Sequence, residues 1–338
     1  MRQLTFSFSL MFTMLIGAAN LLAQDAQFSQ FYGNPLYLNP ALAGNKICPR
    51  ITLNYRNQWP AIPASFVTYS VSADRYVEAL SGSVALMAFS DNAGGGILTN
   101  NAISGIYSYR LEIEREFVLT TGFQASFQQV SLDWNRLIFE SQITDPNGPQ
   151  EPVPSDKALN KIFPDFSTGF VLGMYYRYFV GFAAHHLTQP SLSVYDADGV
   201  NYDPNSKQNL KITAHAGALF NLQRPARFLD PDKAPTISPN ILYQQQGAFK
   251  QLNVGLYTTL YPVTIGFWYR YAFNNSDAFI ALLGFEYEKI KLGYTYDYTV
   301  SGLSNATGGA HEISLAWVLP CNEIGKNSKL KAIKVTPF

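Results

Sequence analysis

The sequence predicts an all-β protein, a transmembrane antiparallel β-barrel of about 14 strands preceded by a short N-terminal segment. From residue 48 onwards, apolar and polar side chains alternate over segments of about ten residues, as in strands with one lipid face and one polar face. Charged residues make up only 14% of the chain, beside 21 Tyr and 24 Phe, whereas soluble domains average about 25% charged residues. Beyond residue 23, no apolar run approaches the roughly 18 residues of a spanning helix.

The alternation is clearest in residues 117–128 and 289–300. The first segment sets Phe117, Leu119, Phe123, Ala125 and Phe127 against Thr120, Gly122, Gln124, Ser126 and Gln128. The second sets Leu292, Tyr294, Tyr296, Tyr298 and Val300 against Lys291, Gly293, Thr295, Asp297 and Thr299. A secreted β-sandwich would alternate too, but with inner faces richer in Val, Ile and Leu and outer faces richer in Lys and Glu. We therefore prefer a membrane barrel with a polar lumen.

Residues 1–23 predict a secretory signal peptide, because Arg2 precedes an apolar run that is too short to span a membrane. We place cleavage between Ala23 and Gln24, with cleavage after Ala19 as the alternative. Without Arg2, 23 basic residues (24 − 1) face 24 acidic ones, a formal charge of −1. This balance gives no reason to expect nucleic acid as a partner.

The predicted strands are even in number, as expected of single-chain bacterial barrels. They lie near 48–58, 64–75, 81–90, 98–112, 115–130, 165–175, 177–186, 209–222, 236–245, 249–260, 262–273, 277–287, 289–300 and 310–320.

The connection lengths predict how the barrel lies in the outer membrane of a Gram-negative bacterium. With both termini in the periplasm, the long connections face outwards and most inner turns are short, which is the usual arrangement; the long connections are 131–164, 187–208 and 301–309. The mature chain then divides into a segment at the periplasmic mouth, the barrel, and a basic periplasmic tail, with the bounds 24–47, 48–321 and 322–338.

Two cysteines flank the predicted barrel. Cys48 opens the first strand and Cys321 follows the last, and these strands are neighbours once the barrel closes. Because the periplasm is oxidising, a disulfide across the seam is predicted. The alternatives are two unrelated thiols or a metal pair without further ligands.

The segment 24–47 is too apolar for a free tail and too short for a separate domain. Asn34-Pro35 and Asn39-Pro40 each place a capping side chain before a ring suited to the first position of a helix. The segment is therefore expected to pack inside the periplasmic mouth, where it either clamps to the barrel or docks a partner. The candidate partner-binding residues are Phe28, Phe31, Tyr32, Asn34, Pro35, Tyr37, Asn39 and Pro40.

The sequence predicts no catalytic, cofactor-binding or metal-binding residue. The run from Gly94 to Gly96 lacks the Gly-Lys-Ser/Thr of a phosphate loop. The adjacent His185 and His186 are expected to point to opposite faces of a strand, so they could not chelate one ion. The loop 196–206 offers oxygen ligands but departs from the EF-hand spacing, so a solvated loop is preferred to a calcium site.

Four stretches resemble the PorP/SprF family of the Bacteroidetes type IX secretion system. They are "FSQFYGNPLYLNPALAG" (28–44), "YRNQWPAIPASFVTYSVSAD" (55–74), "NAGGGILTNNAISGIYSYRL" (92–111) and "KLGYTYDYTVSGLSNATGGAHEISLAW" (291–317). The resemblance covers nearly the whole mature chain, and the flanking cysteines look closer to the SprF type, which is associated with gliding adhesins.

The resemblance implies a non-enzymatic outer-membrane component needed for the secretion or surface anchoring of a large adhesin. The implied partners are the C-terminal domain of that adhesin, the secretion machinery and membrane lipid, without a cofactor. The alternative is a channel or transporter for small or hydrophobic molecules. A third reading, a hydrolase, would depend on His311 beside Glu312, which we assign to a structural role.

Overall fold

The computed structural model describes residues 24–46, 48–114, 116–133, 136–137, 160–192, 207–222, 233–273, 275–300 and 307–321. The signal peptide, the candidate calcium loop 196–206, most of the long connections and the basic tail lie outside these residues. Among the described residues, no helix is long and apolar enough to cross a membrane.

The strands are those expected from the alternating pattern, with bounds shifted by a few residues. They are β1 (Arg50–Gln58), β2 (Phe66–Val77), β3 (Gly82–Ala93), β4 (Leu98–Glu114), β5 (Phe117–Leu132), β6 (Asn160–Met174), β7 (Tyr178–His185), β8 (Lys211–Ala218), β9 (Thr236–Gln246), β10 (Phe249–Leu260), β11 (Val263–Ala272), β12 (Asn275–Tyr287), β13 (Ile290–Thr299) and β14 (Ala310–Val318). A two-residue piece, Phe220–Asn221, continues β8 along β9. Within the described ranges, the helices are α1 (Pro35–Leu38) and two 3₁₀ turns, Pro40–Leu42 and Glu78–Leu80.

The sheet closes into a barrel of 14 strands. Each strand pairs antiparallel with its neighbours in the chain, and β1 also pairs with β14, from Arg50 opposite Val318 to Gln58 opposite Ala310. Closure leaves no free sheet edge for another chain to join, which is the condition for strands to cross a bilayer. The fold class predicted from the sequence is confirmed.

The two ends of the barrel differ in their connections. The short-turn end carries the chain at Cys48 and Cys321 and tight turns such as 78–81, 175–177 and 261–262. The long-connection end carries the connections after β5, β7 and β13. That the long-connection end faces the outside remains a prediction.

The wall has the expected two faces, except that apolar side chains also occur on the inner face of several strands. Large apolar side chains such as Ile103 and Phe127 (69% and 68% exposed) point outwards. Thr120, Gln124 and Gln128 point inwards and are buried, as predicted. On β12, however, Ile280 and Leu282 are apolar and point inwards, so the lumen is partly apolar because it contains a packed core.

A disulfide joins Cys48 to Cys321 beside the closing seam. The Cα atoms are 5.5 Å apart although 273 positions separate the residues in sequence. The amide of Leu319 donates to the carbonyl of Pro49 at 2.8 Å, which continues the β1–β14 pairing to this point. The covalent bond therefore fastens the first strand to the last at the short-turn end.

Candidate functional site in the barrel lumen

The N-terminal segment, residues 24–46, runs through the lumen from one end of the barrel to the other. Gly44 lies against β2 and β4 near the short-turn end, and Asp25 contacts residues at the long-connection end. The sequence placed this segment at the periplasmic mouth. In the structure it extends from the short-turn end to the long-connection end.

The segment is first held beside the disulfide end. The amide of Gly44 donates to Asp74 Oδ2 at 2.7 Å, and its carbonyl accepts from Arg110 at 3.1 Å. Arg50 donates to both oxygens of Asp74 (2.9 and 3.0 Å), so this carboxylate holds the first strand and the segment together.

Halfway through the lumen, the turn Pro40–Leu42 lies directly on the wall. The side chain of Asn39 accepts from the amide of Ala41 at 2.9 Å and donates to the carbonyls of Phe170 and Phe182 at 3.1 and 3.2 Å. A Cβ atom at Gly122 would lie 2.3 Å from the backbone nitrogen of Ala41. The chain can therefore approach β5 so closely only because residue 122 has no side chain.

Both predicted helix starts occur, but only one is capped by its side chain. Helix α1 begins at Pro35 and the 3₁₀ turn at Pro40, as the Asn-Pro pairs predicted. Asn39 caps the turn, whereas the side chain of Asn34 makes no capping hydrogen bond.

An apolar core joins the segment to the inner wall. Phe31 packs edge-on against Trp268 with ring centroids 4.9 Å apart, and Tyr32 packs against Phe179 at 5.6 Å. Leu42 and Leu282 belong to the same buried cluster. Burial of such side chains contributes about 1.5–3 kcal/mol each, so the segment is part of the folded core.

A buried ionic cluster grips the segment at Ser29. Arg56 and Arg270 both donate to Ser29 Oγ at 2.7 Å, and this hydroxyl donates to Asp297 at 2.5 Å. The arginines also pair with carboxylates: Arg56 with Asp297 and Glu312 at 3.1 Å each, and Arg270 with Asp297 at 3.2 Å. Two cations thus face two anions, which is how buried charges are tolerated.

Glu312 also binds the segment's backbone. Its two carboxylate oxygens accept from the amides of Ser29 (2.7 Å) and Gln30 (3.1 Å). The side chain of Gln30 in turn donates to the carbonyl of Glu312 at 3.1 Å and accepts from Ser314. This pairing links the segment to β14, beside the closing seam.

The tip of the segment, at Asp25, is fixed at the long-connection end. His186 donates from Nε2 to Asp25 at 2.7 Å and from Nδ1 to Asp165 at 2.8 Å. Gln246 both accepts from the amide of Asp25 (2.9 Å) and donates to its carboxylate (3.0 Å), and Lys211 lies 3.5 Å from the same carboxylate.

These contacts set the charges at the tip. Burial alone would lower the pKa of His186, but Asp25 and Asp165 outweigh it and raise that pKa to about 9. Burial alone would raise the pKa of Asp25, but the charges of His186 and Lys211 hold it well below its usual range. At neutral pH the tip is therefore held by an imidazolium between two carboxylates.

A small polar cavity remains beside the tip. It has about 60 Å³ of space and is lined by Gln124, Gln128 and Lys211 together with the stacked rings of Tyr37 and Phe89. A water molecule needs about 10–15 Å³ measured in this way, so the cavity has room for a few waters.

The candidate partner-binding residues pack inside the barrel. Phe28, Phe31, Tyr32, Asn34, Pro35, Asn39 and Pro40 are buried, and Tyr37 is half-buried. Of the two roles left open for the segment, this packing favours clamping to the barrel. Docking a partner stays an untested prediction.

The sequence missed the polar grip at Ser29 and the tip at Asp25. Apart from the hydrogen bond between Arg56 and Ser29, their contacts join positions more than 150 residues apart, so no local pattern marks them. A further ion pair, between Glu286 and Lys291 at 2.9 Å, joins two neighbouring strands of the wall.

The prediction that His185 and His186 point to opposite faces was wrong. His186 lies beyond the end of β7 with a φ of +61° and turns inwards, so both rings are buried. No group of three or more His, Cys, Asp or Glu suited to a metal ion occurs among the described residues.

The closed fold with its interior segment defines this protein as an outer-membrane β-barrel whose lumen is filled by its own chain. Among solved structures, the toluene transporter TbuX of Ralstonia pickettii matches with a TM-score of 0.50 at 9% identity, over 83% of this chain and 92% of that one. Omp33 of Acinetobacter baumannii (TM-score 0.42, 8% identity, 81% and 99% covered) and a FadL homologue of Pseudomonas aeruginosa (0.40, 13%, 80% and 90%) also match. At these identities the likeness concerns the fold alone.

The sequence model of the family "Type IX secretion system membrane protein PorP/SprF" matches residues 20–317. The chain therefore belongs to the PorP/SprF family, and the resemblance noted in the sequence is confirmed. Among curated proteins, none matches this chain. Family and fold together indicate an outer-membrane component of the type IX secretion system.

Proposed function

We propose that this protein is an accessory barrel that binds the C-terminal region of an exported surface adhesin and holds it at the cell surface. The short-turn end would face the secretion machinery in the periplasm, and the long-connection end would face the adhesin. Membership of the PorP/SprF family supports a role in secretion. The adhesin as cargo, its gliding role and a Bacteroidetes origin belong to the proposal.

The observation that carries the proposal is the filled lumen. The segment is held at Gly44, Asn39, Ser29 and Asp25, so it is anchored along its length. Breaking one buried ion pair costs about 3–5 kcal/mol, and several such contacts would have to break together to clear the path. A barrel filled in this way is suited to be a rigid platform for recognition.

Deletion of the gene tests the role directly. We expect the adhesin to disappear from the cell surface, measured by antibody labelling of intact cells, and to return when the wild-type gene is restored. The total amount of adhesin in cells and medium is measured in parallel, to separate lost anchoring from lost synthesis. Unchanged surface display of every secreted adhesin would refute the proposal.

A channel is the second candidate, because the segment leaves a polar cavity at the tip and the TbuX structure is that of a toluene transporter. Planar bilayers separate the two functions. We expect no steady conductance from the intact protein and stepwise conductance after removal of residues 24–46. Steady conductance or solute uptake by the intact protein would favour transport instead.

A further inference from the structure

Three connections at the long-connection end are hydrogen-bonded into one surface. The amide of Trp59 donates to the carbonyl of Gly309 at 2.8 Å, and that of Ala61 donates to Thr307 at 3.3 Å. On the other side, the amide of Gly95 donates to the carbonyl of Ser65 at 3.2 Å. We call the surface formed by residues 59–65, 94–97 and 307–309 the apolar rim.

The apolar rim carries no charged side chain. Pro60, Ala61, Pro63 and Ala64 are exposed at its tip, where strand connections that meet water are usually polar. Exposed apolar residues grouped on one surface are a common feature of contact sites for other molecules.

Contacts within the apolar rim fix its conformation. Trp59 packs edge-on against Phe66 with ring centroids 5.4 Å apart. A Cβ atom placed on Gly308 would lie 3.3 Å from Ala61 and 3.5 Å from Pro60, so the two connections are in close contact. Its shape is therefore set before any partner arrives, which reduces the entropy lost on binding.

Among the described residues, Arg136 borders the apolar rim together with Asp133, whose amide donates to the carbonyl of Ile97 at 2.8 Å. Arg136 is exposed, and its guanidinium nitrogens would lie 3.7 Å and 3.2 Å from Cβ atoms placed on Gly95 and Gly96. Among the described residues, no carboxylate forms a salt bridge with Arg136. A guanidinium in this setting favours a carboxylate on the partner, held by two parallel hydrogen bonds.

We propose that the apolar rim with Arg136 is the surface that receives the exported polypeptide, through an apolar stretch that bears one carboxylate. This inference rests on the proposed function and names the contact surface for it. The carboxylate is an acidic side chain or the chain's own C-terminus. Either carboxylate would pair with the guanidinium of Arg136.

The test measures surface-held adhesin in cells that carry rim variants. We expect Ala61→Asp with Ala64→Asp to reduce it at least tenfold, because two carboxylates would have to be desolvated beneath an apolar partner. Arg136→Glu should reduce it at least threefold, and Arg136→Lys less. Ala79→Asp, at an exposed alanine of the opposite end, is the matched control and should leave display unchanged.

A photo-crosslinking amino acid at position 64 gives a second measurement. It should form an adduct with the adhesin, and the same group at position 79 should not. Repeating the Arg136→Glu measurement with an adhesin extended by several uncharged residues beyond its C-terminus distinguishes the two carboxylates. Display should lose its dependence on Arg136 only if the C-terminal carboxylate is the group that binds.

Two outcomes would overturn the inference. In the first, rim variants display adhesin at the wild-type level while gene deletion abolishes display, so that the proposed function stands but its surface lies elsewhere. In the second, Ala61→Asp with Ala64→Asp lowers the amount of folded barrel while Ala79→Asp does not, which would place the apolar rim in lipid. If deletion itself leaves display intact, the proposed function fails first.

Discussion

Substituting Glu312 by glutamine removes one charge from the grip on Ser29 while keeping the side chain's shape. The Glu312 side chain is fully buried and lies 3.1 Å from Arg56. At an effective dielectric constant of about 20, unit charges at that distance attract by about 5 kcal/mol. The variant leaves Arg56 and Arg270 facing the single charge of Asp297. It also sets an amide NH₂ group against a backbone N–H of the segment. We expect the free energy of unfolding to fall by about 3–5 kcal/mol, as for other broken buried pairs.

Urea unfolding in lipid vesicles, followed by tryptophan fluorescence, measures this loss. Trp268 contacts Phe31, so its emission also reports whether the segment stays in place. Glu286→Gln is the matched control, because that carboxylate pairs with Lys291 at 2.9 Å but is 27% exposed, and exposed pairs contribute about 0–1 kcal/mol. A loss below about 1 kcal/mol for Glu312→Gln, or equal losses for both variants, would refute the reasoning.

Three further predictions concern the other anchors. Gly122→Val should displace the turn at Pro40 and raise the maleimide labelling rate of an Ala26→Cys reporter, whereas Gly105→Val, at a glycine whose added Cβ would contact nothing, should not. The pKa of His186, about 9, exceeds its ordinary 6.5. Its stabilisation of the tip is therefore complete below about pH 6.5 and lost as the pH rises through 9, so a spin label at residue 26 should gain mobility over that range, and His186→Ala should remove the alkaline change. Cys48→Ser should lower the free energy of unfolding by up to about 5 kcal/mol in the chain-entropy model and abolish the difference in gel mobility between reduced and oxidised protein; an unchanged unfolding midpoint would contradict this.

The wall could be predicted from the sequence because its pattern is local. Alternation places Phe123 outside and Gln124 inside without reference to any distant residue, and it located β10 with the bounds that the structure shows. The disulfide between Cys48 and Cys321 could be predicted because closure of the barrel makes the first and last strands neighbours.

The interior could not be predicted because its contacts are distant in sequence. Ile280 breaks the polar pattern of the inner face, and the reason is an apolar core shared with the N-terminal segment. Likewise, His186 turns inwards through a single backbone angle that neighbouring residues do not specify. Where a second layer of chain covers a wall, the alternation of that wall no longer indicates what it contacts.

Because the segment crosses the lumen, the distance between its two ends reports whether it is in place. Asp25 and Cys48 are close in sequence but lie at opposite mouths, so probes attached near each would be separated by nearly the height of the wall. Withdrawal of the segment would shorten the mean distance between the probes or broaden its distribution, while leaving the strands intact. A spectroscopic distance between these two positions could therefore follow occupancy of the interior in living cells, independently of any cargo.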